Sequence, residues 1–189
     1  MKRRITIAAV LLFAALAVFG QTAALTTLFD GSSLKGWNPV GNANWKLADG
    51  VVEANTGTGF LVSAESYGDF YLKVEIWVDD DANSGVFIRC QNAQQIGAAN
   101  SYEVNIFDKR PDQTYRTGSI VDVAKPLSAI NAGGRWNTLE ITAQGSHLVV
   151  TLNGTKTVDT QHSVHVRGPI ALQYSAGVVK FRNVQIRLL

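Results

Sequence analysis

One cysteine, Cys90, is all that the chain's 189 residues contain. That excludes an internal disulfide and any Cys-rich metal knot, so burial alone must hold the fold. Histidine is scarce too: His147, His162 and His165 all lie late in the chain. None has HExxH or Cys-paired spacing, so no metal site and no cofactor are expected. With four prolines and no biased tract, nothing reads as a linker, an internal repeat or a low-complexity segment, and the mature chain counts as one domain. Helical periodicity is almost missing, and the one long apolar run is Ile5 to Phe19. At about 15 residues it falls short of the roughly 20 that cross a bilayer core.

Lys2, Arg3 and Arg4 precede that run and small residues follow it, which is the layout of a secretory signal peptide. Cleavage after Gly20 or after Ala24 leaves small residues at the two positions a signal peptidase reads. With Ala24 preferred, the reading is a leader over residues 1–24 and a mature domain over 25–189 that is periplasmic or secreted and free of the membrane after cleavage. Without the three leader cations, 14 basic residues face 15 acidic ones, a net of −1. Such a balance gives no electrostatic footprint for nucleic acid, and Lys109, Arg110 and Arg116 read as a solvated loop.

Period-two alternation recurs along the mature chain, with turn signals between the runs, so the fold class is all-β. Phe70, Leu72, Val74, Ile76 and Val78 make one apolar row facing a core, and Tyr71, Lys73, Glu75 and Trp77 must point the other way. Asn153-Gly154 and Asp49-Gly50 are hairpin turns. Further strands are expected at 85–91, 101–107, 136–142, 169–174 and 179–187. About ten short strands on one core make a sandwich or jelly roll.

The second face of these strands carries aromatics beside charges. In the parity of Glu75 lie Trp77, then Phe87 and Arg89, then Glu103, Asn105 and Phe107. These three strands are expected to be neighbours, so the side chains converge across spacings of about 5 Å. Carboxylates, a guanidinium, an amide and ring faces together suit a sugar, whose hydroxyls need polar partners and whose C–H faces lie against rings. The plainer alternative is that Glu75, Arg89 and Glu103 form an exposed cross-strand charge ladder.

In order along the chain come Leu28-Phe29-Asp30-Gly31, Leu34-Lys35-Gly36-Trp37, Trp45, Asp49-Gly50, Tyr67-Gly68-Asp69-Phe70 and Val74-Glu75. They are followed by Asn83-Ser84-Gly85-Val86-Phe87-Ile88-Arg89, Tyr102-Glu103-Val104, Asp108, Thr117-Gly118, Trp136-Asn137, Leu152-Asn153-Gly154, Leu172-Gln173 and Phe181-Arg182-Asn183. Collinear over nearly the whole mature chain, these pieces resemble the 3-keto-disaccharide hydrolase domain family, a concanavalin A-like jelly-roll β-sandwich. The chain departs from that pattern after Leu172-Gln173, where similar relatives carry His-Gly and this sequence reads Tyr174-Ser175-Ala176-Gly177.

The resemblance implies cleavage of a 3-keto-glucoside, with a carbohydrate as partner. A ketone at C3 acidifies the C2 proton, so a carboxylate base, an enolate stabiliser and an acid for the leaving oxygen are required. Glu75 and Glu103 are the base and acid in either order, Arg89 the stabiliser and Asp108 a reserve acid. Trp77, Phe87, Asn105 and Phe107 offer contacts, and Asn83, Tyr102 and Gln173 are candidate hydroxyl partners. Equally, Asn83 can hold a turn and Gln173 can satisfy backbone groups.

The alternative reading is a non-catalytic carbohydrate-binding module using the same face. A retaining glucanase is disfavoured because no Glu-x-Asp-x-x-Glu run is present. Asp79 to Gly85 fails as an EF-hand, since Ser84 and Cys90 stand where Gly and the bidentate Glu belong. Cys90 reads as a small buried hydrophobe sharing the core parity of Val86 and Ile88.

Overall fold

The computed structural model describes residues 24–189, so the leader reading falls outside it apart from Ala24. Thirteen strands form: β1 (Thr26–Phe29), β2 (Trp37–Gly41), β3 (Lys46–Ala48), β4 (Val51–Ala54), β5 (Gly59–Tyr67), β6 (Phe70–Val78) and β7 (Ser84–Ile88), then β8 (Tyr102–Ile106), β9 (Arg135–Gln144), β10 (His147–Leu152), β11 (Thr155–Gln161), β12 (Gly168–Tyr174) and β13 (Val179–Leu188). Helix among the described residues is limited to two single 3-10 turns, Ala98–Asn100 and Gln113–Tyr115.

The strands make two antiparallel sheets packed as the expected jelly-roll sandwich. The larger has eight strands, ordered β11-β10-β9-β6-β13-β4-β3 with β1 also on β13; the smaller has five, ordered β2-β5-β12-β7-β8. Strand β13 serves two partners on one side because it bulges at Arg182 to Gln185, where Asn183 has φ 49°. Its first part pairs with β4 and its last part with β1.

Alternation decides the faces. Phe70, Leu72, Val74, Ile76 and Val78 of β6 are buried between the sheets, as are Leu139, Ile141 and Ala143 of β9 and Val179, Phe181, Val184 and Ile186 of β13. Removing each such aliphatic side chain from water contributes about 1.5–3 kcal/mol. Val86, Ile88, Tyr102, Val104, Leu61, Ile170 and Leu172 face them from the smaller sheet. Both expected hairpins turn through residues with positive φ, Asp49-Gly50 at 52° and 76° and Asn153-Gly154 at 52° and 78°, the two left-handed positions of a type I′ turn.

Strand β7 is buried on both sides. A second apolar cluster on the outside of the smaller sheet, Val62, Phe87, Cys90 and Ala171, is packed over by Ala93 and Ile96 of the following loop. Cys90 is buried as expected, but in this outer cluster rather than with Val86 and Ile88. The reason is Arg89, whose φ of 53° ends the extended conformation on which alternation depends.

Candidate functional site

The two sheets leave two separate outer faces. On the five-stranded sheet, pairing aligns Val40 with Phe60 and Phe60 with Gln173, while Gly85 lies opposite Asn105. The neighbouring row sets Asn38 opposite Val62, Val62 opposite Ala171, Ala171 opposite Phe87, and Phe87 opposite Glu103. Gly85 has a specific role here: a Cβ would sit 3.2 Å from the Phe87 ring and 3.4 Å from Gln173 Oε1. Its bare backbone lets the Phe87 ring and the Gln173 amide close over β7. Phe60 meets Phe87 edge-on at 5.3 Å and stiffens the floor.

Glu103 points outward from β8, opposite Phe87. Burial pushes its carboxyl up to about 7, with nearby Arg110 pulling it down and Asp122 pushing it further up. Both neighbours come from the long segment after β8. Its part 118–121 lies along the sheet edge, with Gly118 N donating to Asn105 O (2.9 Å), Asn105 N to Ser119 O (3.1 Å) and Val121 N to Glu103 O (3.0 Å). This edge pairing carries Asp122, at φ 61°, to the Glu103 end of the face.

Several polar atoms in this region lack partners. Asn105 is fully buried and its amide nitrogen donates to Tyr115 O, so Oδ1 is the free end. Asn105 Oδ1, Gln173 Oε1 and Arg110 Nε are all buried without a hydrogen bond. Unmade bonds of this kind cost about 1–3 kcal/mol each unless water or a ligand completes them. Further across the same face a hollow of about 480 Å³ opens between β2, β5 and the 90–94 loop, with Asn38, Gln91, Gln94 and Arg167 at its edge.

Of the residues expected from sequence, Glu103, Asn105, Phe87 and Gln173 come together, and Phe107 lies half-buried just past the end of β8. The convergence of Glu75, Arg89 and Glu103 is corrected. Strand β6 pairs with β9 and β13, not with β7, so Glu75 and Trp77 lie on the outer face of the other sheet. Burial pushes the Glu75 carboxyl up, but hydrogen bonds from Arg182 and Asn183 and the Arg182 and Lys73 charges hold it below the usual carboxylate range. Glu75 meets Arg182 Nε at 2.6 Å.

Arg89 is not on a face at all. Fully buried, it donates Nε to Gly68 O (2.9 Å), Nη1 to Gly145 O (2.8 Å) and His165 O (3.2 Å), and Nη2 to Asp69 Oδ1 (3.0 Å). It ties the β5–β6 and β9–β10 turns to the approach to β12. Asp108 is a clamp: Oδ1 accepts from Thr117 Oγ1 (2.5 Å), and Oδ2 from Ala132 N (2.8 Å) and Gly133 N (2.9 Å). Tyr102 lies in the core, where its hydroxyl donates to His162 O (3.0 Å) and accepts from His165 N (3.1 Å). Asn83 holds a turn, exchanging backbone hydrogen bonds with 175–176. Arg110 and Asp122 were missed, because a loop gives no periodicity to read and their approach to Glu103 depends on how 107–134 folds back. The one available signal was a basic cluster directly after the Glu103 strand.

A family model described as a 3-keto-alpha-glucoside-1,2-lyase-like domain matches residues 24–187. Among curated proteins none matches the chain. Similar solved structures include two proteins from Parabacteroides distasonis ATCC 8503 provisionally named glycosyl hydrolases. One is 20% identical with TM-score 0.78, over 87% of this chain and 94% of its own. The other is 25% identical with TM-score 0.74, over 88% and 100%. The carbohydrate-binding module CBM66 from Bacillus subtilis shares the fold at 20% identity and TM-score 0.65, over 80% and 95%.

Proposed function

The chain belongs to the 3-keto-alpha-glucoside-1,2-lyase-like family and is a carbohydrate-active domain, and from that premise we propose that it is an exported enzyme cleaving a 3-keto-disaccharide or 3-keto-glucoside. One observation carries the reading. Glu103, raised to about 7 by burial, faces outward on β8 in the same face as Asn105 and Gln173, whose side-chain oxygens lack partners. A base of that basicity is matched to a C2 proton acidified by the C3 ketone at neutral pH.

In this mechanism Glu103 takes the C2 proton and the electron pair passes into the C2–C3 bond as an enolate. Arg110, the cation nearest in the site's electrostatics, replaces Arg89 as the group that stabilises the enolate oxygen. Collapse of the enolate forms the C1–C2 double bond and breaks the C1–oxygen bond; Glu103, now carrying the C2 proton, gives it to the leaving oxygen, and water then adds with its hydroxyl on C1 and its proton on C2. Gln173, half-buried on the same face, offers its amide to a substrate hydroxyl, while buried Asn105 steadies the loop beside Glu103 through Tyr115 O.

The purified mature protein should release the second sugar from a 3-keto-disaccharide and leave the unoxidised parent intact. In deuterium oxide, label should enter C2 of the 3-keto product; product without label would exclude proton removal. Export is tested separately by N-terminal sequencing, with Leu25 the expected first residue and Met1 recovered from membranes the opposing result.

The second reading, a binding module without turnover, draws on Tyr174-Ser175 standing where similar relatives have His-Gly. His162 and His165 do not fill that role, since they pack on Tyr102. Saturable sugar binding lost in Gln173→Ala, with no cleavage of any 3-keto substrate, would decide for it.

A further inference from the structure

The outer face of the eight-stranded sheet has no part in the Glu103 chemistry, yet it carries two tryptophans. Registers place Trp136, Trp77, Lys180, Glu53 and Lys46 in one row across β9, β6, β13, β4 and β3. Trp77 and Trp136 are directly opposite each other and half-buried. Between them and the β3–β4 hairpin, which carries Asp49 at its tip, lies a hollow of about 360 Å³. That volume is within the roughly 300–1,000 Å³ of small-molecule sites.

Each ring has a cation over one face. The Arg182 guanidinium lies 3.9 Å from the Trp136 ring centre, and Lys180 Nζ lies 5.1 Å from that of Trp77. Each cation is itself held, Arg182 by Glu75 at 2.6 Å and Lys180 by Glu53 at 3.0 Å. Cation–π contact on an anchored cation lowers the ring freedom that a ligand would otherwise have to remove. The charges lining the hollow balance, with Lys46 and Lys180 against Asp49 and Glu53. Neither an anionic nor a cationic ligand is favoured by that set. A neutral polyhydroxyl ligand is, because its hydroxyls can donate to the carboxylates and accept from the ammonium groups while its C–H faces lie on indole.

We propose that this hollow is a second carbohydrate site, remote from Glu103, that binds an uncharged pyranose oligosaccharide through Trp77 and Trp136. It is independent of the cleavage reading and survives if no 3-keto substrate is turned over. Its geometry suits holding the protein on a glycan chain while the opposite face remains open.

The test titrates the mature protein with cellohexaose and maltohexaose and reads tryptophan emission with acrylamide quenching. Trp37 is buried, whereas Trp45, Trp77 and Trp136 are half-buried, so the two Trp→Ala variants identify which rings report the ligand. At least one hexaose should shift the emission and protect it from acrylamide. Trp77→Ala and Trp136→Ala should each weaken that binding tenfold or more, with circular dichroism and urea midpoints near the wild type. Trp77→Phe should recover part of it, and Glu103→Gln should leave it intact. No response to either hexaose overturns the proposal, as does binding that Glu103→Gln removes and Trp77→Ala spares. Sedimentation supplies a third way to overturn it: a concentration-dependent dimer abolished by Trp77→Ala, without hexaose binding, would assign the face to a second copy of the chain.

Discussion

Around Trp77 on the larger sheet the charges are matched, Lys180 with Glu53 and Arg182 with Glu75, whereas on the smaller sheet Glu103 makes no salt bridge and Asn105, Gln173 and Arg110 keep unpartnered atoms. Matched charges rest near their electrostatic minimum. Glu75 accordingly stays ionised and is a weak base, while Glu103, deprived of water without a matching ion pair, is pushed up to about 7. The difference teaches that burial without a partner, more than residue type, makes a carboxylate suitable for proton transfer. Two glutamates that look alike in sequence are thus fitted to different tasks.

The largest break in that comparison should come from Arg89→Met. If Arg89 is the fastener between turns and not a reacting group, the change strands three carbonyls and the Asp69 carboxylate. It should cost about 3–5 kcal/mol in urea unfolding. Unchanged stability with lost cleavage would return Arg89 to the chemistry.

Next in size is Glu103→Gln, expected to reduce 3-keto-glucoside cleavage by roughly 10²-fold with the fold retained. Wild-type cleavage should rise with pH through about 7 as the base form appears. Stability should move oppositely. The folded value is raised above the ordinary 4.5, so the native state binds more protons between these limits. Glu103's contribution is then fully present below about 4.5 and declines as pH rises to about 7. Denaturation midpoints across that range should lose this decline in Glu103→Gln; an identical profile would remove the burial argument.

Val74→Ala deletes methyls from a fully buried position on β6 and should cost about 1–3 kcal/mol. On the same strand Trp77→Ala points outward and should change stability less. Equal losses would mean that the faces are assigned wrongly.

Smallest of all should be Glu75→Gln. A half-exposed pair with Arg182 contributes about 1 kcal/mol or less, and cleavage rates should match the wild type. A hundredfold slower enzyme would show that the two outer faces are functionally joined after all.

Much of this molecule was legible locally. The β6 alternation, the Asp49-Gly50 and Asn153-Gly154 turns and the strands near 102–106, 135–144, 168–174 and 179–188 all follow from side-chain spacing and left-handed turn residues. Glu103, Asn105 and Phe87 were legible because they occur on regular strands with the expected outward parity, and Gln173 was named beside them only through the resemblance at Leu172-Gln173. Arg110 and Asp122 were not, since a long connection has no period from which to place its side chains. Arg89 misled because a single left-handed residue reverses the parity count.

The sequence by itself determined that residues 25–189 are β in class, where the Asp49-Gly50 and Asn153-Gly154 hairpins turn and which side of β6 meets the core, for these depend on spacing within a few residues. Only the tertiary structure decided which strands are neighbours. Pairing β6 with β9 and β13, and β7 with β8 and β12, is a choice among contacts distant along the chain, settled by how two sheets bury their apolar rows together. That choice parted Glu75 from Glu103, left one carboxylate paired in a charge row, and set the other opposite Phe87 on the second sheet without an ion-pair partner.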